Sequence, residues 1–298
     1  MKSKKIPYIV GDIHGCYNEY VELEKKILQH AETHQWSPLI ISVGDLIDRG
    51  PESQQVVEHF IAGEKKLTHL AIMGNHEVEF TRFLHAFRPD LFTRANRHFP
   101  DYLFSIEEDF DSGRNGANIC DSLEDFTELL LNSWLLQGGD ETLKSYQANP
   151  DDPNSWNIPV QHLEFILNLP FYWEDDKLCV THALATPSDY ETVKKAAVGE
   201  KKGFVLEKDF TEMKKLTPKS IKSAIHSLIW NRRRPMARLN HERVHISGHT
   251  PMDYVKVSKE YGFIQLDTGC VYGKRLTAYC QENDHYLTVK SETNWKNS

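Results

Sequence analysis

No apolar run in this 298-residue chain approaches the roughly 18 uncharged residues that a membrane span needs, and the N-terminal MKSKKIPYIVGD turns polar at Asp12 too soon for a signal peptide. A soluble protein is expected. Cysteine is scarce: the five, at 16, 120, 179, 270 and 280, are odd in number and show no CxxC spacing. That argues against a disulfide framework and a thiolate zinc site, and suits a reducing cytoplasm. Positive charge is short as well. A formal charge of −8 disfavours a general nucleic-acid binder, so a substrate's negative charge must be met locally. Solenoid repeats and low-complexity tracts are lacking. What remains, 40 % hydrophobic and 26 % charged, can bury a sizeable core in one large globular domain or one domain with an insertion.

What is present is a repeated punctuation. IPYIV-GDIHG, LIISV-GDLIDRG and LAIM-GNHE each close a short apolar run with Gly-Asp or Gly-Asn-His, roughly 30 residues apart, and LCV-THA and RVHIS-GHT repeat the device later. Asp12, His14, Asp45, Asn75, His76, His182 and His249 therefore stand just past the ends of predicted strands, where open α/β sheets place their ligands. Asp, Asn and neutral His are oxygen and nitrogen donors suited to hard or borderline divalent ions, which points to a two-metal hydrolytic site.

Residues 6–10, 39–43, 67–73, 178–181 and 243–247 read as buried strands with helices between them. Leu23, Ile27 and Leu28 supply part of the stripe of a first helix. Val56, Val57, Phe60 and Ile61 supply the face of a second, opened near Pro51. YVKVS, GFIQLD, RLTAYC and HYLTVK read as antiparallel hairpins, giving an α/β fold of two packed mixed sheets flanked by helices. One catalytic domain over 1–285 is expected, with a mostly helical insertion at about 80–160, and 286–298 as a strand end and frayed tail. The insertion carries Arg82, Arg88, Arg94 and Arg97, for which a solvated face is the usual role and guidance of an anionic substrate the alternative. The lysine-rich stretch 189–220 reads as a surface excursion or a cover for the site. His30, His34, His59, His69, His85, His98, His162, His226 and His241 lack a setting at a strand end, so surface or core roles are their default. His245 reads as a packed residue or a partner of a ligand, and Trp134, Trp156 and Trp173 as packing anchors.

GDIHG, GDLIDRG and GNHE, in that order and followed by His182 and His249, resemble the metallophosphoesterase superfamily, and within it the phosphoprotein phosphatase family. WLLQGGDETLKSY, LPFYWEDDKLCVTHA, GHTP and LDTGCVYGKRLTA are similar to segments of its bacterial and phage branch, so the resemblance runs from about Ile6 to Cys280. It implies a calcineurin-like α/β/β/α fold. It also implies two divalent ions, Mn²⁺ first, with Fe, Zn²⁺, Ni²⁺ or Co²⁺ as alternatives, and a bridging hydroxide for in-line attack. Asp12, His14 and Asp45 would hold one ion, and Asp45, Asn75, His182 and His249 the other. His76 would be the general acid, oriented by Asp48; Arg49 and Arg232 would grip phosphate, with Arg233 and Arg234 as rivals of Arg232.

The family's usual glycine after the His182-Ala183 pair is replaced by Leu184, which should change the local turn or the groove wall. The SAPNY-type segment of eukaryotic members is absent, so regulatory subunits are not implied. The leading expectation is a phosphoserine or phosphothreonine protein phosphatase that also takes small phosphoesters. The alternative is a symmetrical hydrolase of diadenosine tetraphosphate, whose bacterial representatives share the GDxHGC and LDTGC segments. From another class, a phosphate-binding module without turnover would show lost ligands, and none is lost.

Overall fold

The computed structural model describes residues 5–94, 105–113, 115–196 and 218–297. β1 (Lys5–Val10) alternates in the way a strand covered on both faces must. Tyr8 and Val10 turn toward the helices, while Ile9 turns toward a second sheet. β1 pairs in parallel with β2 (Ser37–Ser42), and β2 with β3 (His69–Ala71). β3 is shorter than the expected 67–73 because Leu67, exposed and at φ 58°, belongs to the turn before it. β9 (Arg275–Cys280) and β10 (His285–Lys290) complete this sheet, in the order β10-β9-β1-β2-β3.

The second sheet has the order β4-β5-β6-β8-β7, from β4 (Tyr172–Glu174), β5 (Leu178–Thr181), β6 (Val244–Ser247), β7 (Lys256–Ser258) and β8 (Phe263–Gln265). The C-terminal strands do form antiparallel pairs, β7 with β8 and β9 with β10, but the pairs go to different sheets and β8 joins β6 in parallel. β4 has only three residues, too few to show a period, and went unread in the sequence. Ile9, Ile41, Val43 and Ile72 of one sheet meet Trp173, Val180, Ile246 and Ile264 of the other in a continuous buried layer.

α1 (Tyr17–Thr33) and α2 (Ser53–Lys65) cover the first sheet. The stripe of α1 runs through Tyr20, Leu23, Ile27 and Ala31, whereas Leu28, one position out of phase, is exposed. α3 (Asn75–Phe87) begins at the site, and α4 (Pro89–Arg94), α5 (Ile106–Asp111), α6 (Leu123–Trp134), α7 (Asp140–Ser145) and α8 (Val160–Leu167) follow it. α9 (Pro187–Ala196) and α10 (Pro218–Trp230) flank the second sheet.

The insertion's arginines split. Arg82 is buried and pairs with Asp109 at 2.9 Å and Glu79 at 3.2 Å, tying α3 to α5; Arg88 binds Asp90 and the carbonyls of Pro153, Asn154 and Trp156. Both are structural. Arg97 and most of the lysine-rich stretch lie outside the described residues. The tail is not frayed: Ser291 Oγ, Glu292 N and Thr293 N all donate to Glu19 Oε1 at 2.9–3.1 Å, and Trp295 N donates to the Val271 carbonyl. Among the described residues no helix is long and apolar enough to cross a membrane.

Candidate active site

Six strands end at one cluster. Asp12 and His14 follow β1, Asp45 follows β2, Asn75 and His76 follow β3, His182 follows β5, His249 follows β6 and Asp267 follows β8. All eight are buried. Asp45 Oδ2 lies 3.5 Å from His14 Nε2 and 3.3 Å from His182 Nε2, between two sets of donors. Asn75 Oδ1 lies 3.0 Å from His182 Nε2 and 2.9 Å from His249 Nδ1. The His249 backbone N–H donates to Asp12 Oδ2 at 2.9 Å and so aims that carboxylate.

The hydrogen bonds set the tautomers. His14 and His182 each place Nδ1 2.8 Å from a backbone carbonyl, of Ile47 and Val43, which only an Nδ1–H can satisfy. With Nδ1 taken up, Nε2 is the nitrogen each ring turns to the cluster, His182 toward Asp45 and Asn75 oxygens and His14 toward Asp45 and the Arg49 guanidinium, the orientation in which a neutral imidazole ligates a divalent ion. The electrostatics agree. Burial and then the neighbouring Asp267 carboxylate push Asp12 well above the usual carboxylate range. Burial alone would raise Asp45, but His182, His76 and His14 outweigh it and hold it well below that range. His182, which burial alone would lower, is lifted to about 10 by Asp45 and Asp12: the pocket favours positive charge at that point. Burial, followed by the charge of His182, drives His249 down to about 3, keeping it neutral and ready to ligate. Divalent ions fit this donor set: Asp12, His14 and Asp45 can hold one, and Asp45, Asn75, His182 and His249 another.

The groups beside these donors rest on strained turns. His14, Asp45, Asp48, Arg49 and His249 all have φ between 48° and 72°, a region that non-glycine residues seldom enter and that clusters at functional sites. His76 Nδ1 contacts Asp48 Oδ2 at 2.7 Å, and Asp48 is itself fixed by Trp134 Nε1 at 2.8 Å and Thr142 Oγ1 at 2.6 Å. Arg49 donates to both His14 Nε2 and His76 Nε2, spanning the two rings at 2.5 and 2.8 Å. Its backbone N–H is held by the Gly138 carbonyl, where a Cβ would come within 2.4 Å of that nitrogen. The rings of Tyr272 and Trp295 lie 5.7 and 5.8 Å from its guanidinium carbon. Of the three consecutive arginines, Arg232 reaches the cluster, with Nε 3.2 Å from His249 Nε2, whereas Arg234 turns to Glu260 and Tyr261.

All ten residues singled out in the sequence thus converge. Four were missed. Asp267 completes the carboxylate set and is raised to about 6 by burial; its signal was present, since GFIQLDTG closes an apolar run in the same way as GDIHG. Glu77 accepts from Asp45 N, Leu46 N and Gly74 N at 2.7–2.9 Å and holds the β2 and β3 loops together. Trp134 and Thr142, 86 and 94 residues from Asp48, carried no local signal; Trp134 packs as expected and also donates to Asp48. Leu184 is buried and its carbonyl accepts from Asn231 Nδ2, which fixes the turn after His182. Behind Trp134 and Trp230 is a cavity of about 670 Å³, lined by these rings and by Arg82 and Lys222 with the carboxylates Glu79 and Asp109 that pair with them, among others; none of the candidate ligands lines it.

Comparison with known proteins places these features. The chain is 26 % identical over 277 residues to an asymmetrical bis(5'-nucleosyl)-tetraphosphatase of Anoxybacillus flavithermus, covering 91 % of this chain and 88 % of the relative. It is 25 % identical over 311 residues to a symmetrical bis(5'-nucleosyl)-tetraphosphatase of Wigglesworthia glossinidia brevipalpis, covering 96 % and 99 %. A solved serine/threonine protein phosphatase of Saccharomyces cerevisiae overlaps 98 % of this chain and 81 % of its own at 11 % identity and a TM-score of 0.44. The calcineurin-like phosphoesterase model matches residues 8–252, which include every candidate metal ligand. With two mixed sheets flanked by helices and the ligands at their strand ends, the chain belongs to the calcineurin-like phosphoesterase family.

Proposed function

We propose that this chain is a two-metal phosphoester hydrolase acting on a dinucleoside polyphosphate. The observation that carries the chemistry is the Asp45 carboxylate between His14 and His182, with Asp12, Asn75 and His249 completing the two donor sets. Two divalent ions bound there supply Lewis acidity and lower the pKa of a coordinated water. Arg49, beside His14, and Arg232, beside His249, orient the phosphate by charge-assisted hydrogen bonds. His76 Nε2 accepts from Arg49 here; once Arg49 turns to the phosphate, that nitrogen can take a proton from solvent and deliver it to the departing oxygen, with Asp48 holding the ring through Nδ1. The substrate class is supported by relatives of that name over nearly the full length of the chain.

A second reading, phosphoserine or phosphothreonine in proteins, is favoured by one observation: the buried His76–Asp48 pair at 2.7 Å. An alkoxide leaving group needs a proton donor far more than a nucleotide does. The two are separated by turnover on diadenosine tetraphosphate and on a phosphoserine peptide, each with Mn²⁺, for wild type and His76→Asn. The proposal expects the dinucleotide to have the higher kcat/KM and His76→Asn to cost it less than the 10²–10⁴-fold typical of lost general acid catalysis. A preference for the peptide, with the full loss in His76→Asn, would replace the first reading by the second. Products distinguish the two modes of cleavage, ADP alone or ATP with AMP.

A further inference from the structure

At the opposite end of the first sheet from the active site, Glu24 of α1, His59 of α2 and His69 at the start of β3 meet. Each carboxylate oxygen of Glu24 faces a different imidazole, Oε2 at 3.1 Å from His59 Nε2 and Oε1 at 3.1 Å from His69 Nε2, and the three donor atoms lie within 4.8 Å of one another. We propose that Glu24, His59 and His69 form a third metal site, for a borderline divalent ion of the Zn²⁺, Co²⁺ or Ni²⁺ type.

The argument begins with the proton on His69. The Thr68 hydroxyl donates to the Gly63 carbonyl at 3.1 Å, so at 2.9 Å from His69 Nδ1 it acts as acceptor and Nδ1 carries the hydrogen. His69 Nε2 of the neutral ring is then a lone pair lying 3.1 Å from an anionic carboxylate. It is buried and has no hydrogen-bond partner, for its approach to Glu24 is close but misaligned. An unpaired buried nitrogen facing a carboxylate is costly as a structural contact, and a cation between them removes the cost. An ion about 2.0–2.2 Å from each donor requires donors roughly 3.0–3.5 Å apart, which both nitrogen–oxygen contacts already meet.

The surroundings are shaped for this ring. A Cβ at Gly63 would come within 2.1 Å of His69 Nδ1, so the glycine of α2 is what admits the imidazole. The Tyr17 hydroxyl lies 3.4 Å from His59 Nδ1, a partner for the ring nitrogen that would not ligate. His59 is 24 % exposed and Glu24 16 %, so the mouth opens to solvent and a water can complete four-coordination. A bound ion would join α1, α2 and β3 at the end of the sheet remote from Asp45. The preference for N/O donors of borderline character follows from two imidazoles and one carboxylate.

Metal analysis of the folded protein tests this. After loading with Zn²⁺ and removal of loosely held ions, wild type is expected to carry one more ion per chain than His59→Ala or Glu24→Gln, with turnover on an aryl phosphate unchanged in both variants. Asp45→Asn, in which the catalytic ions are expected to be weakened, is expected to keep this ion and to lose it when combined with His59→Ala. Co²⁺ loading gives a second readout, a visible absorption band present in Asp45→Asn and absent from the double variant. Equal metal content in wild type, His59→Ala and Glu24→Gln, all folded by circular dichroism, would overturn the proposal and leave the trio an ion-paired staple.

Discussion

Asp45 is the residue on which the proposed chemistry depends most, since one carboxylate faces His14 on one side and His182 on the other. Replacing it by Asn removes a negative charge from both donor sets, so Asp45→Asn should lower the affinity of both catalytic ions. Asn75→Ala, which touches His182 and His249 alone, should empty mainly the second site. Metal stoichiometry distinguishes them; two tightly held ions and near-native turnover in Asp45→Asn would show that another ligand is shared. At this scale the sequence was highly legible, because Gly-Asp and Gly-Asn-His after an apolar run are local patterns. Glu77 was not. Its carboxyl, raised to about 7 by burial and then by Asp45, acts on backbone N–H groups of a loop some 30 residues away, and no spacing announces that.

Elements position these residues, and two predictions belong to them. Trp134, the last residue of α6, donates to the same Asp48 oxygen that holds His76, while its ring stacks on Phe83 at a centroid separation of 5.2 Å. Trp134→Phe keeps the packing and deletes the donor, so kcat on a poor leaving group should fall by roughly 5–30-fold, the worth of about 1–2 kcal/mol, with metal content unchanged. Unchanged kcat would make Trp134 a packing residue only. His245 sits in β6 with Nε2 2.6 Å from Thr181 Oγ1 of β5, and burial pushes it from 6.5 down to about 3. The unfolded chain therefore binds that proton first as the solution is acidified. The contribution to stability is complete above pH 6.5 and is lost as the pH falls toward 3. His245→Gln should flatten the acid limb of stability against pH by up to one proton's slope, about 1.4 kcal/mol per pH unit. Denaturant titrations between pH 7 and 4 read this, and parallel slopes for the two proteins would rule it out.

On the scale of the whole molecule, the two ends of the chain are joined. Glu19 near the start of α1 accepts from Ser291, Glu292 and Thr293, and Trp295 lies over Arg49 as well as against the core. Removal of 291–298 would leave a buried carboxylate without these donors. It should cost about 2–4 kcal/mol of stability, visible as a lower Tm, and should weaken phosphate binding through Arg49. A truncated chain as stable as wild type would mean that the docking contributes nothing. The frayed tail expected from SETNWKNS failed for a plain reason: a short polar segment has no period, and its order comes from a partner some 270 residues earlier.

The βαβ rhythm, the two-sheet architecture and the ligands at strand ends were determined by the sequence itself, because apolar runs of strand length and the residues that end them are local chemistry. Tertiary structure alone decided which distant groups meet. It sent the two C-terminal strand pairs to different sheets, brought Asp267 to Asp12 and Trp134 to Asp48, selected Arg232 from three adjacent arginines, and gathered Glu24, His59 and His69 from three elements. These are contacts between residues far apart in the chain, settled by how the buried faces of sheets and helices pack, and no window of sequence contains them.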